Sequence, residues 1–224
     1  MVIPTTGASS ARPSSNDEKF VPGGGSGAVS TVEPQKIFVL RFVAFSVIAT
    51  AGLAWDLWTK YTVFEALGQH GVLPIWKGRI GGFSVQFQLE TALNHGALWG
   101  IGQGMTSLFA TFSFVAVGAI AYFVRQGQAT SSKWLTVASG LLLAGTLGNL
   151  FDRLGLHRYT DQDGKSIYAV RDFLDFWFCD VFHWATFNFA DSYLVVGAMI
   201  LVLHSFLVAP QECTPALTIP HTNG

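Results

Sequence analysis

Charged residues are scarce in this sequence: Asp, Glu, Lys and Arg make up only 12% of its residues, against roughly 25% in an average soluble domain. Half of the chain is hydrophobic, and the mean hydropathy is +0.40. This composition predicts a membrane protein. The net charge of -1 also lacks the basic excess that a phosphate-binding surface needs, so we expect no nucleic-acid partner.

Cysteine is equally rare, since the chain has only Cys179 and Cys213. They form neither a CxxC pair nor a zinc-type spacing, which excludes a disulfide framework and predicts neither a metal nor a cofactor. The sequence also lacks the HExxH motif of zinc proteases and the YD and GxGD motifs of presenilin-type aspartyl proteases. GFSV (Gly82 to Val85) resembles a rhomboid serine motif but falls outside any apolar span, and DQDGK lacks the remaining ligands of a calcium loop.

Long apolar runs are what the sequence has instead. Four segments have the roughly 20 residues that are needed to cross about 30 Å of hydrocarbon. They run approximately from Ile37 to Leu57, Met105 to Val124, Trp134 to Phe151 and Ser192 to Ala209. We expect residues 1–35, rich in Ser, Gly, Pro and Thr, to be a disordered tail, residues 36–209 to form one four-span domain, and residues 210–224 to be a flexible C-terminal tail.

Four spans place both chain ends on one side of the membrane, which we expect to be the cytoplasmic side. The loop charges alone do not settle this orientation. The inner side would carry Lys36, Arg41, Arg125 and Lys133, and the outer side would carry Lys60, Lys77, Arg79, Arg153, Arg158, Lys165 and Arg171. As a bare count, the positive-inside rule therefore argues against it. Several of the outer basic residues lie in long connections or beside Asp56 and Asp152, where pairing would account for them.

The two outer connections differ in pattern. FSVQFQLE (Phe83 to Glu90) alternates apolar and polar residues, which predicts a strand with one wet and one dry face. GVLPIW and the Gly81-Gly82 pair before it predict an antiparallel hairpin that rests on the bilayer surface. HRYTDQDGKSIYA, in the second connection, predicts a loop or short ribbon. The expected fold is an α-helical membrane protein with four transmembrane helices and a small extracytoplasmic β-sheet, or cradle, between helices 1 and 2.

Polar residues gather at the outer ends of the spans. Asp56 and Lys60 are four residues apart, so we expect a local ion pair along one helix face. The other members of the set are Asn94, Asn149, Asp152, Arg153, Asp172, Asp175, Asn188 and Asp191. Ionisable groups at membrane depth cost several kcal/mol unless they are paired or face a wet cavity. Their convergence on one side of the membrane therefore indicates a functional site.

Five motifs carry a family resemblance: DLWTK, LNHGALWG, GNLFDR, VRDF and FNFADS, in that order across the four spans. Together they resemble the motifs of lipoprotein signal peptidase, or signal peptidase II, over about residues 37 to 209. The resemblance implies an aspartic endopeptidase of the bacterial cytoplasmic (inner) membrane, active on its extracytoplasmic side. Such an enzyme removes the signal peptide of a prolipoprotein just before a diacylglyceryl-modified cysteine. The implied catalytic pair is Asp172 and Asp191.

The resemblance also implies roles for other residues and partners. Asn94, Asn149, Arg153 and Asn188 would bind substrate or support the dyad, and Asp56, Lys60, Asp152 and Ala190 are further motif residues. The implied partners are the lipidated prolipoprotein, membrane lipids and a cyclic lipopeptide inhibitor such as globomycin, and we expect a monomer. The 154–171 connection is longer than is usual in the family, and no glycine stands shortly before Asp172. We expect this insertion to form a surface ribbon that shapes substrate access.

Chemistry supports a carboxylate pair independently of the resemblance. Hydrolysis of an amide without a Ser, Cys or metal centre needs one carboxylate to activate water and one protonated carboxyl to donate a proton. Two aspartates that share one proton can do both, because like charges in a low dielectric push their pKa values apart. We expect Asn188 to be the N-cap of the fourth helix, with Asp191 in its first turn, where the helix dipole favours the anionic form.

Two questions stay open at this stage. VRDFLDF offers both Asp172 and Asp175, which share a face if the segment is helical and lie on opposite faces if it is extended. We favour Asp172 as catalytic and expect Asp175 to be a solvated interfacial charge. The alternative function is a non-enzymatic proton-coupled carrier or lipid-binding membrane protein that uses the same carboxylates, although the sequence has neither evident broken helices nor inverted repeats.

Overall fold

The computed structural model describes residues 34–207, except for 97–101, 103 and 180. Both predicted tails lie almost entirely outside these residues. The described residues form four long helices: α1 (Pro34–Leu67), α2 (Thr106–Arg125), α3 (Lys133–Arg153) and α4 (Phe189–Leu207). All four are long and apolar enough to cross a membrane, which confirms the predicted number of spans. α1 continues ten residues past the predicted end of its span at Leu57, and Lys60 lies on this extension.

α3 is the central helix, in contact with α1, α2 and α4. In its most hydrophobic window 56% of the residues are buried, against 11% or less in the other three helices. Small residues make this possible, because a Cβ at Gly140 would lie 2.9 Å from Ile48 and one at Gly145 would lie 2.4 Å from the Ala190 carbonyl oxygen. Such residues let neighbouring backbones approach closely, as is common between transmembrane helices.

The sheet has four antiparallel strands in the order β1 (Val72–Ile80), β2 (Phe83–Asn94), β3 (Val170–Phe178) and β4 (Phe182–Phe187). The predicted β1–β2 hairpin is present, and Gly81 and Gly82 make its turn with φ angles of 56° and 90°. These positive values favour glycine. The small sheet after the first helix is thus confirmed. The sequence analysis did not anticipate that the α3–α4 connection adds two more strands to it.

Both strand pairs that include β3 have a register shift. The β2–β3 register shifts between Leu89 and Ala92, and the β3–β4 register shifts between Leu174 and Phe176. Shifts of this kind increase local twist and change where side chains point. The segment VRDFLDF is an extended strand. Because side chains alternate between the two faces of a strand, Asp172 and Asp175, three residues apart, lie on opposite faces of the sheet.

The insertion between α3 and β3 forms a compact ribbon, as expected from its turn-rich sequence. Thr160 and Ser166 pair as an isolated antiparallel bridge. The turn between them is closed by the Asp161 N–H, which donates to the Lys165 carbonyl at 2.9 Å, and by the Gly164 N–H, which donates to the Asp161 carbonyl at 3.0 Å. The base of the ribbon rests on α1, where the Tyr159 and Phe64 rings lie 5.9 Å apart.

Candidate active site

The two aspartates implied by the resemblance are brought together from different elements. Asp172 lies on β3, and Asp191 lies in the first turn of α4. Asp172 accepts hydrogen bonds from Nδ2 of Asn94 at 3.0 Å and from Nδ2 of Asn188 at 2.6 Å. Asp191 accepts one from Nδ2 of Asn149 at 2.7 Å. Three asparagines from three different parts of the chain thus contact the two carboxylates.

Asn188 contacts both aspartates and begins α4. Its Oδ1 accepts a hydrogen bond from the Asp191 N–H at 3.0 Å, and Asp191 Oδ2 accepts one from the Asn188 N–H at 3.2 Å. This reciprocal pair is a capping box with an aspartate in place of glutamate, so the predicted N-cap is confirmed. Because Oδ1 serves as the cap, Nδ2 is left to face Asp172. One fully buried side chain therefore fixes the relative position of the two carboxylates.

Lys60 orients the Asn149 amide. Its Nζ donates to Asn149 Oδ1 at 3.2 Å, and Asn188 Nδ2 donates to the same oxygen at 3.2 Å. An ammonium group can only donate, so the amide oxygen of Asn149 must face Lys60 and its Nδ2 must face Asp191. The charge on Lys60 thereby determines which hydrogen bond Asp191 receives, although the two residues lie on different helices.

Asp56 and Lys60 belong to a larger ion cluster than the predicted local pair. Lys60 Nζ lies 2.8 Å from Asp56 Oδ2 and 3.1 Å from Asp152 Oδ2. Arg171 Nη2 lies 2.8 Å from Asp152 Oδ1, and all four side chains are at most 4% exposed. Two carboxylates and two cations are thus mutually neutralised, which is the condition for burying charges without a large penalty.

Each carboxylate of this cluster accepts a backbone hydrogen bond from the residue that directly precedes Asp172 or Asp191. Asp152 Oδ2 accepts a hydrogen bond from the Arg171 N–H at 3.1 Å, and Asp56 Oδ1 accepts one from the Ala190 N–H at 2.8 Å. A Cβ at position 148 would lie 2.4 Å from Asp56 Oδ2, so Gly148 gives the space for this approach. The ion cluster therefore anchors the backbone on both sides of the site.

Arg171 was missed as a site residue in the sequence analysis. The available signal was an arginine inside a strand whose other residues, apart from two aspartates, are apolar, because a buried arginine requires a carboxylate partner.

Arg153, which was predicted, lies at the end of α3 with its Cζ 5.5 Å from the centre of the Phe109 ring. Among the described residues Arg153 forms no direct ion pair with Asp172 or Asp191, but its charge acts on both through space.

The environment of Asp172 favours the protonated form of its carboxyl group. Burial raises the pKa of its carboxyl group to about 8, and the negative charge of nearby Asp191 acts in the same direction. Asp191 has a different environment, since it lies at the positive end of the α4 dipole. The pair can therefore supply one protonated carboxyl and one carboxylate. Within the described ranges no three His, Cys, Asp or Glu residues are grouped so that they could hold a metal ion.

The expectation that Asp175 is a solvated charge is wrong. Asp175 is fully buried, on the sheet face away from Asp172. It accepts hydrogen bonds from Gln88 Nε2 and Trp177 Nε1, both at 2.9 Å, from Thr186 Oγ1 at 3.3 Å, and from His183 Nε2. The error has a physical reason: a solvated position assumed a helical segment, whereas the strand turns Asp175 towards donors on β2 and β4.

An apolar cavity of about 570 Å³ adjoins the site. Its walls are aromatic side chains of the sheet, such as Phe176 and Phe187, and aliphatic side chains of α4, such as Val195 and Val196; Asp191 also lines it. A cavity of this size and character can hold the apolar part of a ligand. The carboxylate of Asp191 is thus reached from an apolar compartment.

Comparison with known proteins connects this geometry to a family. The sequence model of the family Peptidase_A8, described as signal peptidase (SPase) II, matches residues 48–207. A lipoprotein signal peptidase from Rhodopirellula baltica is 38% identical over 166 residues, which cover 74% of this chain and 73% of that protein. One from Vibrio cholerae is 32% identical over 166 residues, which cover 70% of this chain and 88% of that protein.

Two solved structures have a similar fold. One, described as a bacterial membrane enzyme determined by the in meso method at 2.3 Å resolution, is 26% identical, with a TM-score of 0.56 over 73% of this chain and 87% of that chain. A second, at 1.9 Å resolution, is also 26% identical, with a TM-score of 0.54 over 74% of this chain and 94% of that chain. The comparisons do not favour the carrier alternative. This chain belongs to the signal peptidase II family and is a membrane peptidase.

Proposed function

We propose that this protein is an aspartic endopeptidase that cleaves the signal peptide from diacylglyceryl-modified prolipoproteins just before the lipidated cysteine. Asp172 and Asp191 are the proposed catalytic pair. The observation that carries the proposal is the shared contact with Asn188, which holds the two carboxyl groups together while Asn94 and Asn149 each donate a hydrogen bond to one of them.

The two aspartates take different roles in the proposed reaction. Asp191, ionised at the start of α4, accepts a proton from a water molecule, whose oxygen attacks the carbonyl carbon of the scissile bond. Asp172, which holds its proton, donates it to the carbonyl oxygen as the tetrahedral intermediate forms. When the C–N bond breaks, Asp191 returns its proton to the leaving nitrogen and Asp172 recovers one from the intermediate. The dyad thereby regains its starting protonation state.

Arg153, Asn94 and Asn149 support this chemistry in the proposal. The asparagines keep the carboxylates within reach of each other, and the positive charge of Arg153 offsets part of the negative charge that develops on the substrate. Fixed donors of this kind cost no reorganisation during the reaction. Removal of any one of them should slow cleavage without unfolding the protein.

The location of the site fits a substrate held at the bilayer surface. Trp55, Trp58 and Tyr61 are 48%, 56% and 60% exposed on α1, at the level of Asp56 and Lys60. Exposed tryptophan and tyrosine are typical of the membrane–water interface. We place the protein in the bacterial inner membrane with this end on the extracytoplasmic side, acting as a monomer. A cyclic lipopeptide such as globomycin would compete for the dyad and the apolar cavity.

The test uses isosteric substitutions. Asp172→Asn and Asp191→Asn, in purified protein in lipid, should each abolish cleavage of a diacylglyceryl-modified prolipoprotein peptide while the unfolding temperature stays near that of the parent. An amide can neither activate water nor deliver the proton. Asp163→Asn is the matched control, because that carboxylate is 76% exposed in the insertion turn. Cleavage by both site variants would refute the aspartic mechanism.

A further inference from the structure

A second cavity, of about 860 Å³, lies beside the site between α2 and the insertion. The α2 wall carries Ser107 and Thr111, which are four residues apart and so share one helix face. The opposite wall is built by the insertion and carries Asp161, Ser166 and Tyr168. Polar groups therefore face each other across the cavity, among apolar side chains such as Phe114 and Ile167. We call this cavity the polar groove. Its volume lies within the range of about 300–1,000 Å³ found for ligand sites.

The polar groove reaches the site at two points. Arg153, whose charge acts on both aspartates, forms part of its lining. His95 lines it as well, and the residue before it, Asn94, donates a hydrogen bond to Asp172. The apolar cavity instead reaches the site at Asp191. An almost wholly apolar cavity and a cavity of mixed lining thus meet at one pair of carboxylates.

A prolipoprotein also differs in polarity on the two sides of its scissile bond. The signal peptide and the diacylglyceryl group are apolar, and the chain that follows the modified cysteine belongs to the secreted, water-soluble part of the molecule. An apolar segment would displace water from the hydroxyl and charged groups of the polar groove without offering hydrogen bonds in its place, which costs free energy. A peptide backbone offers both donors and acceptors to them.

We propose that the polar groove binds the first residues of the mature lipoprotein, those directly after the lipidated cysteine. The proposal rests on the proposed function. It gives the insertion a definite task, since Asp161, Ser166 and Tyr168 contact the bound segment from one side while Ser107 and Thr111 contact it from the other. The groove is a specificity site on the mature side of the cleaved bond and takes no part in the chemistry.

The structure of the insertion suits this task because its wall is preformed. Asp161 Oδ1 accepts hydrogen bonds from the N–H groups of Asp163 at 2.9 Å and Lys165 at 2.8 Å, which fixes the turn. Gly155, with φ of 69°, lets the chain turn at the end of α3, and a Cβ there would lie 3.0 Å from the Tyr168 ring. A rigid wall binds a flexible segment with a smaller entropy cost than a mobile one.

The experiment compares two synthetic diacylglyceryl-modified peptides with the same signal sequence. The short peptide ends at the lipidated cysteine as an amide, and the long peptide continues with six polar residues of a mature lipoprotein. The parent enzyme should cleave the long peptide with about tenfold higher kcat/KM, mainly through a lower KM. A tenfold gain corresponds to roughly one or two net hydrogen bonds.

Two variants with the same new side chain localise the effect. Thr111→Trp places an indole in the polar groove, so this variant should cleave both peptides with similar kcat/KM. Val115→Trp is the matched control, one turn further along α2 and 65% exposed outside the groove, and it should keep the tenfold preference.

Each outcome has one meaning. Equal kcat/KM for both peptides with the parent enzyme would overturn the groove assignment and leave the proposed function intact. A tenfold preference that survives in Thr111→Trp would place the mature segment elsewhere and also overturn the assignment. If the parent enzyme cleaves neither peptide, the proposed function itself fails. Cleavage of the short peptide by Thr111→Trp shows that the variant is folded, so loss of the preference is then attributable to the groove.

Discussion

Replacement of Lys60 by methionine should lower the free energy of unfolding and, for a different reason, lower kcat. Met keeps most of the side-chain volume but removes the ammonium group, which is completely buried and contacts Asp56, Asp152 and Asn149 at 2.8, 3.1 and 3.2 Å. The cluster then holds two carboxylates and only one cation, Arg171. Breaking a buried ion pair from one side typically costs about 3–5 kcal/mol. We expect a loss of that size in Lys60→Met.

The catalytic effect follows from the lost orientation of Asn149. Without the ammonium donor, Asn188 Nδ2 alone holds the Asn149 amide oxygen, so the hydrogen bond from Asn149 Nδ2 to Asp191 at 2.7 Å is less strongly enforced. In metal sites, removing a side chain that orients a metal ligand typically lowers metal affinity or activity by about 10–100-fold. The same reasoning applies to Lys60, which orients Asn149, a hydrogen-bond donor to Asp191. We expect kcat to fall by about 10–100-fold, with a smaller change in KM.

A double variant separates the two effects. Lys60→Met with Asp56→Asn restores charge balance, and the Asn side chain can still accept the Ala190 N–H, so much of the lost stability should return while kcat stays low. Thermal unfolding in detergent measures the first effect, and cleavage of the lipidated peptide measures the second. Lys133→Met, at an exposed position, is the control. Parent-like unfolding and cleavage in the single variant would refute the role of the cluster.

Four further outcomes are expected. Asp175→Asn should lower the free energy of unfolding by about 1–3 kcal/mol, because a buried acceptor network loses a partner, yet keep measurable cleavage. A folded but inactive variant would mean that Asp175, and not Asp172, is the catalytic aspartate of β3. The rate of cleavage should fall as pH rises through about 8, because Asp172, whose raised pKa keeps it protonated below that value, then loses its proton; a rate that still increases at pH 9 would contradict this. Asn94→Ala should slow cleavage roughly 10- to 1000-fold with unchanged unfolding temperature, and full activity would remove it from the site. A protein starting near Val32 should insert and cleave normally, and an inserted but inactive truncation would show that the tail has a role.

Much of the architecture follows from patterns that have a single physical explanation. Runs of about 20 apolar residues admit almost no structure but a transmembrane helix, and strict alternation in Phe83 to Glu90 admits little but a half-buried strand. Asn188 was predictable as an N-cap for a similar reason, since an asparagine directly before an apolar helix commonly satisfies the first free N–H groups.

The strands β3 and β4 were less accessible because their sequence has no clean alternation. VRDFLDF has carboxylates three residues apart, and strand faces alternate every two residues. The pattern therefore fits neither a simple strand nor a single helix face. The explanation lies in tertiary structure: both faces of β3 are covered, one by the dyad and its asparagines and the other by the donors around Asp175.

The ion cluster could not have been predicted as a unit. The spacing of Asp56 and Lys60 predicted a pair, because contacts between residues four apart follow from helix geometry alone. Lys60 and Asp152 lie on different helices, far apart in the sequence, and their contact depends on how closely α1 and α3 approach. Gly148 leaves the space for Asp56 beside α3, but a glycine of this kind is informative only when the partner helix is already known.

The central position of α3 has a consequence for how the protein is made. This helix has the lowest mean hydropathy of the four, 1.4 against 1.7–2.1, and it carries Asn149, Asp152 and Arg153 at its C-terminal end. Partition into lipid as an isolated segment would expose those groups without their partners from α1 and β3. The third span is therefore stabilised in the bilayer by its contacts with Lys60 on α1, and the same contacts assemble the site as the helices come together.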